Sequence, residues 1–295
     1  MASLTQQLFH ESRIGPYLRL MRFDRPVGTL LLLWPTLWAL WFAADGMPKP
    51  SVLLIFVLGV VVMRAAGCAI NDYADRNIDP YVKRTANRPL ATGEVTPKAA
   101  LILFGVLLVT AFLLVCLTNT LTIMLAVVGA FLAATYPFLK RYTYVPQIYL
   151  GVAFAWSVPM AYAAQTGAVD GMTWLLFAAT VLWTTAYDTL YAMVDRDDDI
   201  KIGVRSTAIL FGDLDRAAVA IAQGCFLAAM FMAGSRAEYG WLYHGGVAIA
   251  TGLSAWQLWL ARDQDRDASF KAFQNNNWVG IAIFAGLLLE TWPEV

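Results

Sequence analysis

Residues 52–79 read VLLIFVLGVVVMRAAGCAINDYADRNID. The first twenty are almost wholly apolar, about what a helix needs to cross the hydrocarbon core of a bilayer. The run then passes directly into a stretch that carries Asp72, Asp75 and Asp79. The whole chain has the same grain, with short charged blocks between long apolar runs. Its 295 residues are 59% hydrophobic and 14% charged, with a mean hydropathy of +0.57, against about 25% charged in a soluble domain. That balance excludes an ordinary soluble enzyme, a disordered chain and a secreted disulfide scaffold. It predicts an all-α polytopic membrane protein, one integral-membrane domain over 1–295.

Nine spans are expected, at 27–44, 52–71, 99–117, 121–139, 147–165, 173–193, 216–234, 241–260 and 278–293. Of the 21 Lys and Arg residues, eighteen then fall on one side of the membrane. They lie in the N-terminal segment 1–25 and in the loops 72–98, 140–146, 194–216 and 261–277. Lys49 and Arg236 fall on the other side, and Arg64 lies inside a span. The asymmetry places the first side in the cytoplasm and the C-terminus outside. No cleavable leader is expected, because the first 25 residues are mixed and polar without an apolar stretch. Residues 4–23 read as a short interfacial helix. Pro35, Pro137 and Pro159 fall within spans, where they can kink a helix. Cys68, Cys116 and Cys225 have no paired spacing and read as packing residues.

Acidic residues gather at two span ends on the same side. Asn71, Asp75 and Asp79 are four apart, and each step of four drifts only about 40° around a helix, so the three are expected on one face. Asp72 lies three before Asp75. In YDTLYAMVDRDDDIKIG, Asp188, Asp195 and Asp199 share a face, while Asp197 and Asp198 point elsewhere and read as solvated charges. Like charges four apart repel, and carboxylates are disfavoured at a helix C-terminus. Two such stripes imply a counter-ion. The donors are all oxygen, and neither His10 nor His244 is near, which suits Mg²⁺ rather than Zn²⁺. Such a Mg²⁺ normally shares its remaining positions with substrate phosphate and water.

Cations flank the acids. Lys83, Arg84 and Arg88 follow the first stripe, Lys201 and Arg205 the second, and Tyr136, Lys140 and Arg141 close the fourth span. The positive-inside rule accounts for their side of the membrane but not for their position beside the acids. Acid, metal, diphosphate and base together would neutralise both signs. Arg64 lies about 10 Å deeper than Asn71 along its helix. An intramembrane Arg usually faces a cavity or a partner, here a structural acid, a substrate carboxylate or diphosphate. A cation-coupled secondary transporter is the alternative of a different class, with its carboxylates expected near the bilayer midplane.

NDYADRNID, VDRDDD and YPFLK resemble, in order, the NDxxDxxxD, DxxxD and YxxxK signatures of the UbiA family of intramembrane prenyltransferases. The similarity runs through FDRPVGTLLLLWPTLWAL, VKRTANRPLATGEVT and AYDTLYAMVDRDDDIKIGVRSTAILFG, and covers nearly the whole chain. It implies nine helices around a central cavity in the bacterial inner membrane. It implies Mg²⁺-dependent transfer from a polyprenyl diphosphate to the ring carbon ortho to the hydroxyl of 4-hydroxybenzoate, in ubiquinone biosynthesis, with no nucleic-acid partner. Homogentisate, a naphthoate or a tetrapyrrole are the alternative acceptors. Asn71, Asp75 and Asp79 match the first metal motif, Asp195 and Asp199 the second, and Tyr136 and Lys140 the YxxxK pair. Asp72 and Asp188 lie within or beside the motifs. The base that removes the ring proton would be an Asp of the stripes or the released diphosphate.

Overall fold

The computed structural model describes Phe9 and residues 12–292, and the side chain of Lys140 lies outside the described residues. The described residues are helical, without strands. After a short α1 (Gly15–Leu20) come α2 (Val27–Ala44), α3 (Pro50–Asp75), α4 (Pro97–Val115), α5 (Thr120–Thr135), α6 (Pro146–Ala155) and α7 (Ser157–Thr166). Then follow α8 (Gly171–Ile202), α9 (Thr207–Phe211), α10 (Asp215–Arg236), α11 (Trp241–Leu260) and α12 (Arg266–Glu290). Proline opens α3, α4 and α6, where its missing N–H costs nothing. The side chains of Thr96, Asn119, Asp170, Ser206 and Asp265 accept the free N–H groups of their helices. Left-handed Gly167 and Gly203 close α7 and α8.

Each expected span overlaps helix within the described residues, although α8 and α12 extend well beyond theirs on the basic side. Five stretches are long and apolar enough to cross a membrane by length and composition alone: Val27–Ala44, Pro50–Asp75, Pro97–Val115, Thr120–Leu139 and Thr207–Arg236. α4 and α5 turn little of themselves inward, and expose Val109, Phe112, Leu113, Met124, Val127 and Phe131. In water such a face would be a large apolar patch; against lipid tails it is the compatible surface.

Inside the bundle, Phe226 stacks on Trp38 and Trp183, which meet each other at a tilt, with ring centroids 5.0 to 6.0 Å apart. Three consecutive asparagines of α12 reach three different helices. Asn275 accepts from Gln257 of α11 at 2.8 Å, Asn276 from Trp183 of α8 at 3.0 Å, and Asn277 from Trp34 of α2 at 3.3 Å. Successive residues point about 100° apart on a helix, so one triplet ties α12 on three sides. α11 and α12 approach through Gly246 and Gly286, where a Cβ would meet the other helix's backbone at 2.5 and 2.9 Å.

Three expectations need correction. The fifth span is two helices meeting at Trp156. Pro159 cannot donate to residue 155, and its ring crowds that carbonyl, so the ladder breaks there. The first acidic stripe is not one helical face: α3 ends at Asp75, and Asp79 opens a separate 3-10 turn, Asp79–Tyr81. Pro80 has no N–H to give the Arg76 carbonyl, so an α-helix cannot run on through Asp79 undisturbed. At the N-terminus the helix within the described residues is Gly15–Leu20; residues 4–8, 10 and 11 lie outside them. Leu20 is buried against Ala69, Leu90, Val95 and Ala100, while Ile14, Tyr17 and Phe23 stay exposed.

Candidate active site

The end of α3, the loop after it, the 3-10 turn Tyr136–Arg141 and the last turns of α8 meet at one end of the bundle. They enclose a polar cavity of about 140 Å³. Asn71, Asp75, Asp79, Asp188, Asp195 and Asp199 all line it. So do Arg84, Arg88, Tyr136 and Arg205. α8 runs unbroken through Asp188, Asp195 and Asp199, so these three do share a face. Asp197 is mostly exposed, and Asp198 lies at the rim of the neighbouring cavity; Arg266 bonds them at 3.1 and 3.2 Å.

A second cavity, of about 1270 Å³, opens beside the first. Its walls run from Arg22, Lys83 and Arg266 down past Arg64 to Phe56 and Ile55 on α3, Phe112 on α4 and Trp156. From Asn71 to Ile55 is about 24 Å along α3 by the helical rise. Apart from its mouth, Arg64 and Ser157, the lining is mostly apolar and aromatic. Asn71, Arg84, Arg88, Tyr136, Asp188, Tyr191 and Asp195 line both cavities and so form the wall between them.

The guanidiniums sit on the carboxylates. Arg84 Nε donates to both oxygens of Asp195 at 3.0 and 3.2 Å, another of its nitrogens bonds the Tyr191 hydroxyl, and its carbon lies 4.5 Å over the Tyr191 ring. Arg88 Nη1 bridges Asp72 at 3.0 Å and Asp79 at 3.0 and 3.1 Å. Asn71 donates to Asp75 at 3.3 Å. Burial pushes the Asp79 carboxyl up, against the pull of Arg88 and with the help of Asp75 and Asp72. Burial works against the Arg88 cation too, but Asp72 and Asp79 outweigh it and hold it above its ordinary value.

Other expected residues lie elsewhere. Arg141 bonds the Ala74 carbonyl, holding the end of α3, and Lys201 is exposed beside Asp198 at 3.8 Å; neither lines either of these two cavities. Lys83 lines only the larger one. Arg205 reaches the Tyr142 carbonyl at 2.7 Å. Asp72 is fully buried and turned to Arg22, which donates to its two oxygens at 2.7 and 2.9 Å. Arg64 borders the larger cavity; its Nε is buried without a hydrogen bond, and it has no acidic partner among the described residues. A Cβ on Gly28 of α2 would come within 2.8 Å of its guanidinium carbon. Sequence reading did not single out Arg22 or Tyr191. Arg22 is fifty residues from its partner, and Tyr191 is one tyrosine among twelve.

The oxygen donors fit a hard divalent cation. Among the described residues no three acidic, Cys or His side chains converge tightly enough to hold an ion alone. Mg²⁺ keeps few protein ligands and completes its shell with phosphate and water. The carboxylates lie at one end of the bundle, not at the middle depth a transporter's ion site would occupy.

Fold and site define a helical membrane protein with an oxygen-lined polar chamber opening on a deep apolar cavity. The UbiA prenyltransferase family model matches residues 32–282, and the chain belongs to that family. It is 59% identical over 274 residues to the 4-hydroxybenzoate octaprenyltransferase of Saccharophagus degradans, covering 93% of this chain and 92% of that protein. To the protein of the same name from Alkalilimnicola ehrlichii it is 57% identical, covering 94% and 95%. Among solved structures, the apo UbiA homologue of Aeropyrum pernix superposes with a TM-score of 0.79 at 25% identity, over 89% of this chain and 97% of that one. An Archaeoglobus fulgidus UbiA homologue bound to GPP and Mg²⁺ shares the fold, with a TM-score of 0.71 at 16% identity over 93% and 99%.

Proposed function

We propose that the protein transfers a polyprenyl group from polyprenyl diphosphate to the ring carbon ortho to the hydroxyl of 4-hydroxybenzoate, releasing diphosphate, in ubiquinone biosynthesis. The observation that carries this is the shared wall. A phosphate-type chamber and a membrane-deep apolar cavity meet at Asn71, Arg84, Arg88, Tyr136, Tyr191, Asp188 and Asp195. A diphosphate with an insoluble tail needs both chambers, and its reactive C–O bond falls where they join.

Asn71, Asp75 and Asp79 on one side, and Asp195 and Asp199 on the other, would hold Mg²⁺. Asp188 borders the same chamber. Mg²⁺ supplies charge neutralisation of the leaving diphosphate. Arg84 and Arg88 add cationic donors as charge grows on the bridging oxygen. Tyr136, with Lys140 beside it in sequence, stands at the junction. Tyr136 and Tyr191 border both chambers where allylic cation character would develop, and the apolar walls would keep water from it. Arg64, one wall deeper, receives the acceptor's carboxylate through paired hydrogen bonds. The basic end of the bundle faces the cytoplasm of the bacterial inner membrane, and the C-terminus lies outside.

The test is an assay of membranes containing the protein with Mg²⁺, labelled 4-hydroxybenzoate and prenyl diphosphates of several lengths. A prenylated hydroxybenzoate is expected, abolished by EDTA and restored by Mg²⁺. No product with any donor would remove the reading.

A further inference from the structure

Arg22 stands out by its backbone. Its φ is +62°, a left-handed conformation that L side chains rarely adopt. It occupies the position after the α1 C-cap, where Phe23 N–H bonds the Leu18 carbonyl, a place usually filled by glycine. A charged, branched-tip side chain held there costs strain that its surroundings must offset. The side chain supplies the offset at both ends. Its Nη1 donates to the carbonyls of Arg19 at 2.9 Å and Leu20 at 3.4 Å, which close α1. Its Nη2 bonds both oxygens of Asp72 at 2.7 and 2.9 Å.

Asp72 in turn contacts Arg88, the cation on the wall between the two cavities. Arg88 uses one nitrogen, Nη1, for Asp72 and Asp79 alike. Among the described residues its Nε and Nη2 make no hydrogen bond, and Arg88 lines both cavities, so these donors are available to a ligand there. A fully buried carboxylate without Arg22 would carry its whole charge opposite Arg88 and draw the guanidinium into a paired grip. The two donors now available would then turn away from the chamber. We propose that Arg22 is a positioning residue for the donor diphosphate. By neutralising Asp72 it leaves Arg88 oriented between Asp79 and the chamber, which makes the N-terminal turn before α2 part of the reaction machinery.

The inference rests on the donor reading above, and the two fail differently. Wild-type protein without product overturns the reading; active wild-type protein without the pattern below overturns only the role of Arg22. The experiment measures the KM of each substrate, which does not depend on how much protein inserts, using the prenyl diphosphate that the wild type turns over best. Arg22→Gly keeps the left-handed turn without strain and removes only the charge. It is expected to raise the donor KM roughly tenfold, the scale of a charged hydrogen bond, and to move the acceptor KM less than about threefold. Arg22→Lys, which keeps the charge, is expected to stay within about threefold of wild type for the donor. The deciding variant is the double Arg22→Gly/Asp72→Asn. If the harm of losing Arg22 is the bare carboxylate, removing that carboxylate brings the donor KM several-fold back toward wild type. A double variant no better than Arg22→Gly would show that Arg22 acts on the donor directly, and an unmoved donor KM in Arg22→Gly would show that it does not act at all; either overturns the proposal.

Discussion

Asp195 and Asp197 are two residues apart on one helix and occupy different worlds. Asp195 faces the polar chamber under Arg84, while Asp197 stands in solvent against Arg266 at 3.1 Å. Asp195→Ala is expected to lower kcat at least about a hundredfold, the scale of losing one preorganised electrostatic group. Asp197→Ala forfeits an exposed ion pair worth about 0 to 1 kcal/mol and should stay within about threefold of wild type. Equal damage from both, in steady-state rates normalised to inserted protein, would refute the assignment. Arg64→Lys is expected to raise the KM for 4-hydroxybenzoate at least roughly tenfold, about 1.4 kcal/mol, because an ammonium cannot reproduce two parallel bonds. The donor KM should move much less; the reverse split would assign Arg64 to the diphosphate. Helical spacing placed Asp188, Asp195 and Asp199 correctly because they lie on one uninterrupted helix. It misplaced Asp79, because spacing carries a residue onward around a helix that has already ended at Asp75. Spacing is also silent on Arg22, whose partner is brought to it only by the docking of α1 on α3.

At the scale of helices, periodicity and length placed helix at each expected span, since a bilayer demands long apolar runs and internally paired backbone, but α8 runs on to Ile202 and α12 starts as early as Arg266. Periodicity did not locate the break at Trp156. Prolines 35 and 159 both sit in apolar runs, yet α2 continues through the first and the fifth span stops at the second. The packing that decides between a bend and a break is not in either run. Trp156 Nε1 bonds the Leu125 carbonyl of α5 at 2.8 Å, holding the break against a neighbour. Nor does hydropathy reveal how α11 and α12 meet. Gly286 places its Cα 3.1 Å from the point a Cβ on Gly246 would occupy, and any side chain there strikes backbone, which cannot swing aside. Gly286→Val is expected to destabilise the bundle by about 1 to 3 kcal/mol, the usual scale of overpacking. Thermal unfolding in detergent reads this as a lowered Tm, and an unchanged Tm would show that the two helices can part without loss.

For the molecule as a whole, the two ends differ in charge and in what the charges do. At one end Arg22, Arg84, Arg88, Arg196 and Arg266 are engaged with aspartates around or beside the cavities. At the other, Lys49 bonds the Gln165 carbonyl at 3.1 Å, Tyr239 bonds Asp45 at 3.3 Å, and Glu290 accepts from Gly240 at 2.7 Å. The second end carries just Lys49 and Arg236 of the chain's 21 basic residues. The site gathers cations where it stands, so one charge asymmetry would serve chemistry and orientation at once, and insertion with the basic end inward would deliver the chamber to the cytoplasm. Single cysteines can separate that orientation from its inverse once Cys68, Cys116 and Cys225 are replaced. Ser235 is exposed near the end of α10, and Asp263 is exposed between α11 and α12 at the basic end. Both positions are open to a reagent, so a negative result at either reports the membrane and not burial. In intact cells whose outer membrane has been made permeable, an impermeant maleimide is expected to label Ser235→Cys and spare Asp263→Cys. Breaking the inner membrane should expose both. Labelling of Asp263→Cys in sealed cells with Ser235→Cys protected would invert the molecule, and would put the polar chamber on the side of the membrane away from the cytoplasm.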